Sequence, residues 1–226
     1  MGEIARDLAA GEFSSWLRDT REALATEGTA DVPCGACVAC CTSSYFVHIG
    51  PGEGATLARV PAELRFPAPG LPRGNVVLGY DERGHCPMLV DGRCSIYEHR
   101  PLTCRSYDCR VFAAAGIAAD RPLITRRARR WRFAHADERA RESHAAVRAA
   151  AGFLREHADR FPSGTIPDDP ARLAVLAVKV CEVFLEGEGA GEGRGEAGAP
   201  PEGAVVEAVL AAIEGNAGTP PPMGVR

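Results

Sequence analysis

Cys34, Cys37, Cys40 and Cys41 fall within eight residues, and Cys86, Cys94, Cys104 and Cys109 follow. Eight of the nine cysteines thus lie between residues 34 and 109. Where thiols stay reduced, a pattern like this reads as metal ligation before it reads as disulfides. Two residues between cysteines let a tight turn aim both sulfurs at one ion, as in zinc knuckles. Cys34 and Cys37 fit that turn, and Cys40 extends the series at the same interval. Three cysteines so spaced also match the opening of a bacterial [4Fe–4S] run, but that run continues with a cysteine three residues on, whereas Cys41 is immediately adjacent. Neighbouring side chains diverge on an extended backbone, so Cys40 and Cys41 are expected to reach different metals, or one of them none.

The distal cysteines are separated by seven, nine and four residues. A Cys86–Cys94 pair across a hairpin could meet a Cys104–Cys109 pair. Eight sulfurs divide into two four-sulfur sites, and one cubane with spare thiols is equally allowed. Zinc and iron both accept four thiolates, so the metal stays open. Eight thiolates on two divalent ions would leave a charge that Arg93, Arg100, Arg105 and Arg110 could balance. Arg100 and Arg105 are the leading candidates to donate to the sulfurs. His85 abuts Cys86 and could replace one sulfur; His48 and His99 are weaker candidates. Cys181 lies on an apolar helix and reads as a packed thiol.

No Gly-x-Ser-x-Gly, His-Glu-x-x-His or phosphate loop is present, so no catalytic residue is identified and no cofactor beyond the metal is expected. Net charge is −4, with a single lysine, Lys179, against 25 arginines, so no global basic field attracts nucleic acid. The run Arg121, Arg126, Arg127, Arg129, Arg130 and Arg132 is expected to be a solvated face pairing with Asp137, Glu138 and Glu142. No apolar stretch has signal-peptide or membrane-span length, which leads us to expect a cytoplasmic protein without membrane contact.

The elements around the cysteines are short. Residues 3–27 read as an amphipathic helix on Ile4, Leu8, Trp16, Leu17 and Leu24. Tyr45 to Ile49 reads as a strand, and residues 61–74 as a loop. Val76 to Tyr80 and His85 to Val90 read as a hairpin, with Asp91-Gly92 a second tight turn. Asp137 caps a helix running to about Ala158, with Ala140, His144, Val147, Ala151, Leu154 and Ala158 on one face. Asp169 and Pro170 open a buried helix. The expectation is an α+β fold: an N-terminal helix (1–30), a small cysteine-rich metal-binding domain with short strands (31–118), a helical segment packing on it (119–186), a Gly-rich linker (187–203), and a short helix and tail (204–226).

Cys34-x-x-Cys37-x-x-Cys40-Cys41, Cys86-Pro87-Met88-Leu89 and Cys94-Ser95-Ile96-Tyr97-x-x-Arg100-Pro101-x-x-Cys104-Arg105-Ser106-Tyr107-Asp108-Cys109 together resemble the YkgJ-type cysteine-cluster family over about residues 31–115. The resemblance implies a bacterial domain that chelates zinc or iron through these cysteines. A related domain accompanies flagellin lysine methylases. Three readings follow: a structural or chelating metal module; an iron–sulfur protein with a redox or group-transfer, methyltransferase-associated role; and a thiol redox protein.

Overall fold

The computed structural model describes residues 7–26, 28–30, 32, 34–185 and 202–215. The fold is α+β with short strands. The elements run β1 (Leu8–Glu12), α1 (Phe13–Thr26), β2 (Val47–Ile49), α2 (Gly54–Leu57), β3 (Arg65–Pro67), β4 (Val76–Leu78), β5 (Leu89–Val90) and β6 (Arg93–Cys94). Then come α3 (Leu102–Ser106), α4 (Arg110–Ala115), α5 (Pro122–Ala128), β7 (Trp131–Ala134), α6 (Glu138–Glu156), α7 (Pro170–Val180) and α8 (Glu202–Gly215). The chain divides into two units. A helical unit combines the residues up to Ala25 with Cys109–Asp120 and the chain from Ala128. A cysteine unit combines Thr26–Asp108 with Arg121–Arg127.

In the helical unit, α4, α6 and α7 pack on one another through small side chains. Ala114, Ala140, Ala150, Ala151, Ala174 and Ala177 are fully buried, which lets the helix axes approach closely, and Leu154, Val147 and Val178 fill the remaining space. Both expected caps are present: the Asp137 carboxylate accepts from Ala140 N–H at 2.8 Å, and that of Asp169 from Arg172 N–H at 2.9 Å. The N-terminal expectation needs correction. Leu8–Glu12 is a strand, paired in parallel with β7, and the helix begins only at Phe13. Gly11, at φ +98°, breaks any helical run there. The Glu12 carboxylate then caps α1 by accepting from the N–H groups of Ser14 and Ser15, which holds its pKa down to about 2. Ile4 and the Gly-rich linker fall outside the described residues apart from Glu202 and Gly203, which open α8.

The cysteine unit has a small core of Ile49, Val60, Leu78, Met88 and Ile96, with Cys86 and Cys94 packed against it. Its three-stranded antiparallel sheet has the order β2-β4-β3. This corrects two expectations. Residues 65–67, read as loop, form β3, and β4 does not pair with His85–Val90. Both edges of β4 are taken, by β2 at His48↔Val77 and by β3 at Phe66↔Val77. The Asp81–Gly84 turn still closes, through Asp81 N–H to His85 C=O at 2.8 Å, but β5 pairs with β6 instead. Asp91 and Gly92, at φ 48° and 72°, make the tight turn of that hairpin.

One carboxylate joins distant parts of this unit. Glu53 accepts from Gly50 N–H at 2.8 Å and from Leu102 N–H at 2.6 Å, the latter at the start of α3. Thr56 and Thr103 add hydroxyl bonds to the carbonyls of His99 and His48, both at 2.9 Å. Because α3 carries Cys104, Glu53 sets where that sulfur lies. Glu53→Ala should cost roughly 1–3 kcal/mol by stranding two partly buried donors, and amide exchange at Gly50 and Leu102 should accelerate. Unchanged exchange at both amides would show that Glu53 is no anchor.

The helical unit also holds a titratable pair. His144 stacks on Phe13 at 4.3 Å between ring centroids, and its Nδ1 shares a hydrogen bond with His135 Nε2 at 2.9 Å. Burial first, then the positive charge of Arg148 and the neighbouring His135, pushes the pKa of His144 down from 6.5 to about 4. Between those values the unfolded chain binds more protons than the folded one, so stability falls as pH drops through the window. The melting temperature should decline from pH 6.5 towards 4, and His144→Gln should flatten that decline. An equal slope in the variant would remove His144 as its source.

Candidate metal centre

Four chain segments bring seven of the eight clustered cysteines into the cysteine unit. In the first, Cys37 N–H donates to Cys34 C=O at 2.9 Å, and Gly35 takes φ +55° to close the turn. Cys40–Thr42 follows as a 3-10 turn, pinned by Thr42 Oγ1 to Val38 C=O at 3.0 Å. The second segment is docked on the first by backbone bonds: Cys86 N–H to Cys41 C=O at 2.7 Å and Ser44 N–H to Gly84 C=O at 2.9 Å. Gly84 permits this approach. It has φ +78°, and a Cβ there would lie 2.2 Å from Ser44 Oγ. Cys94 is the third contribution, opposite Leu89 on β6, and Cys104 on α3 is the fourth.

The sulfurs sense one another. Cys40 raises the pKa of Cys34, Cys41, Cys86 and Cys104; Cys37 adds to Cys34; Cys94 adds to Cys86 and Cys104. Desolvation is the largest cause of the upward shift at Cys34, Cys86 and Cys104, so these groups favour the neutral thiol. Cys40 moves the other way, to about 7, chiefly because the Cys41 thiol hydrogen-bonds to it, and Cys41 rises in consequence. Among the described residues, no three His, Cys, Asp or Glu side chains are already arranged to hold an ion. The donor chemistry nevertheless fits zinc or iron: the gathered groups are soft sulfurs, and a cation would relieve the mutual repulsion and desolvation that now keep them protonated.

Of the four arginines expected near the sulfurs, Arg100 is the one whose charge bears on Cys34, Cys40 and Cys104. It lies 3.7 Å over the Tyr97 ring and donates to Tyr97 C=O at 2.9 Å. Arg105 donates to Arg100 C=O at 3.1 Å, so it supports Arg100. Arg93 is exposed on β6, and Arg110, in the helical unit, donates to Ala10 C=O. Arg127 was missed from sequence. It donates to Cys34 C=O at 3.1 Å and lowers the Cys34 pKa against the dominant desolvation. It sat in an arginine run read as surface, and no local pattern marks it as different. In that run, Arg132 pairs with Asp7 at 3.1 Å. His48 bonds Asn75 at 2.8 Å. His85 N–H donates to the Asp81 carboxylate, which anchors its backbone in the turn. Cys181 is buried and its thiol donates to Val178 C=O at 3.3 Å, as expected for a packed thiol.

Cys109 belongs to the helical unit, at the residue that opens α4. There the indole Nε1–H of Trp131 donates to its sulfur at 3.2 Å. Among the described residues no helix is long and apolar enough to cross a membrane. No curated protein and no solved structure shows a match to the chain. Residues 33–137, which hold all eight clustered cysteines, match the family model described as “CxxCxxCC: Putative zinc- or iron-chelating domain”, so over that segment the chain is similar to this domain.

Proposed function

We propose that the protein holds zinc or iron through the thiolates of Cys34, Cys37, Cys40, Cys41, Cys86, Cys94, Cys104 and Cys109, as a structural or chelating module. The observation that supports this reading is the gathering of seven cysteines from four chain segments into one unit, with the Cys86 segment docked on the Cys41 segment by Cys86 N–H to Cys41 C=O at 2.7 Å. A packed core has no use for mutually repelling, desolvated thiols, whereas a metal centre requires them. Arg100, with Arg105 behind it, and Arg127 offset the negative charge that the thiolates acquire on binding.

The small core of the cysteine unit supports a structural role. A core cluster this small seldom holds such a segment together alone, and a structural zinc site couples roughly 10–16 kcal/mol of apparent binding energy to folding. The bound ion would draw the thiols into their anionic form and act as the missing core of the unit.

Metal analysis with a visible spectrum, on protein purified without oxygen, tests this. The expected result is a colourless protein with about two zinc ions, at four sulfurs each. A brown protein with iron and acid-labile sulfide would replace it with an iron–sulfur reading. Chelation should abolish cooperative unfolding of the cysteine unit while the helical unit still melts. A single unchanged transition after complete metal removal would refute the structural role.

A further inference from the structure

We propose that Trp131 is a positioning residue for the sulfur of Cys109, holding it by an N–H···S hydrogen bond and tuning its bond to the metal. The inference rests on the reading of Cys109 as a ligand and goes beyond it.

The indole is 4% exposed, yet its one polar atom is directed at Cys109 Sγ, 3.2 Å away. An indole nitrogen only donates, so the sulfur must accept. A neutral thiol accepts weakly, whereas a thiolate, free or metal-bound, accepts strongly. The N–H is therefore placed where a metal-bound sulfur of Cys109 would accept it.

Both partners are fixed by one frame. Trp131 opens β7 opposite Leu8 of β1, and Leu8 N–H donates to Arg130 C=O at 2.8 Å. Cys109 opens α4, whose Val111, Phe112, Ala114 and Ala115 are buried. Arg110, one residue on, donates to Ala10 C=O of β1 at 3.1 Å. The parallel β1–β7 pair thus holds donor and acceptor in register. Such outer hydrogen bonds orient a ligand and withdraw charge from its donor atom.

Cobalt(II) bound to the full chain gives the readout, through its sulfur-to-cobalt charge-transfer bands. Trp131→Phe keeps the apolar bulk and removes the N–H. It should weaken cobalt binding roughly 10- to 100-fold, the usual range for such partners, and shift the bands. Trp16→Phe should do neither. Cys109→Ser should lower stoichiometry or band intensity, and combining it with Trp131→Phe should add little. Wild-type affinity and bands in Trp131→Phe would overturn the inference while the metal reading stands. Full stoichiometry and an unchanged spectrum in Cys109→Ser would overturn it by removing Cys109 from the ligands. A wild-type chain that takes up no cobalt would overturn both. Should Trp131→Phe fail to fold, the unaltered chain suffices. On zinc addition the Trp131 indole N–H resonance should move and its exchange slow, while that of Trp16, the only other tryptophan, stays in place. An unmoved Trp131 resonance would overturn the inference.

Discussion

Mutual repulsion among desolvated sulfurs is the constraint on which the cysteine unit turns. Cys34, Cys86 and Cys104 are each pushed towards the neutral thiol by lost hydration, and Cys40 adds to the shift at all three. The surrounding fold positions the segments that carry these sulfurs. Glu53 fixes α3 and with it Cys104, the β5–β6 hairpin sets Cys94, and Gly84 lets the Cys86 segment lie against Ser44. Each device is a backbone or carboxylate bond rather than a packed apolar surface. An arrangement built this way has little hydrophobic energy in reserve.

Electrostatic compensation is unequal around the cluster. Arg100 acts on Cys34, Cys40 and Cys104, and Arg127 on Cys34. Both guanidinium groups are themselves held, Arg100 by the Tyr97 ring and carbonyl, and Arg127 by Cys34 C=O. A cation anchored this way remains in place when the sulfurs change charge. Arginine suits the task because its planar group can stack on a ring and donate at its edge at once, which a lysine ammonium cannot.

The turn from Cys34 to Cys37 was legible from spacing, because Cys-x-x-Cys needs only a turn. The caps at Asp137 and Asp169, the face of α6 and the Asp91-Gly92 turn were legible for the same reason. What escaped depends on partners far along the chain. Leu8–Glu12 is a strand because β7, more than 100 residues on, pairs with it, and its alternation over five residues is too short to oppose the helical periodicity that follows. Strand β3 was hidden by Pro67, which an edge strand tolerates. The hairpin expected of β4 failed because two other strands claim its edges.

The two units solve opposite packing problems. The helical unit buries alanines between α4, α6 and α7. The cysteine unit buries little and depends on polar and sulfur contacts instead. Cys109 falls where these economies meet in sequence: it is the last of the clustered cysteines and the residue that opens α4. A sulfur rigidly mounted on a well-packed frame loses little entropy on binding a metal, whereas sulfurs on short loops must be ordered as they bind. The Trp131 bond completes that mounting from the helical side.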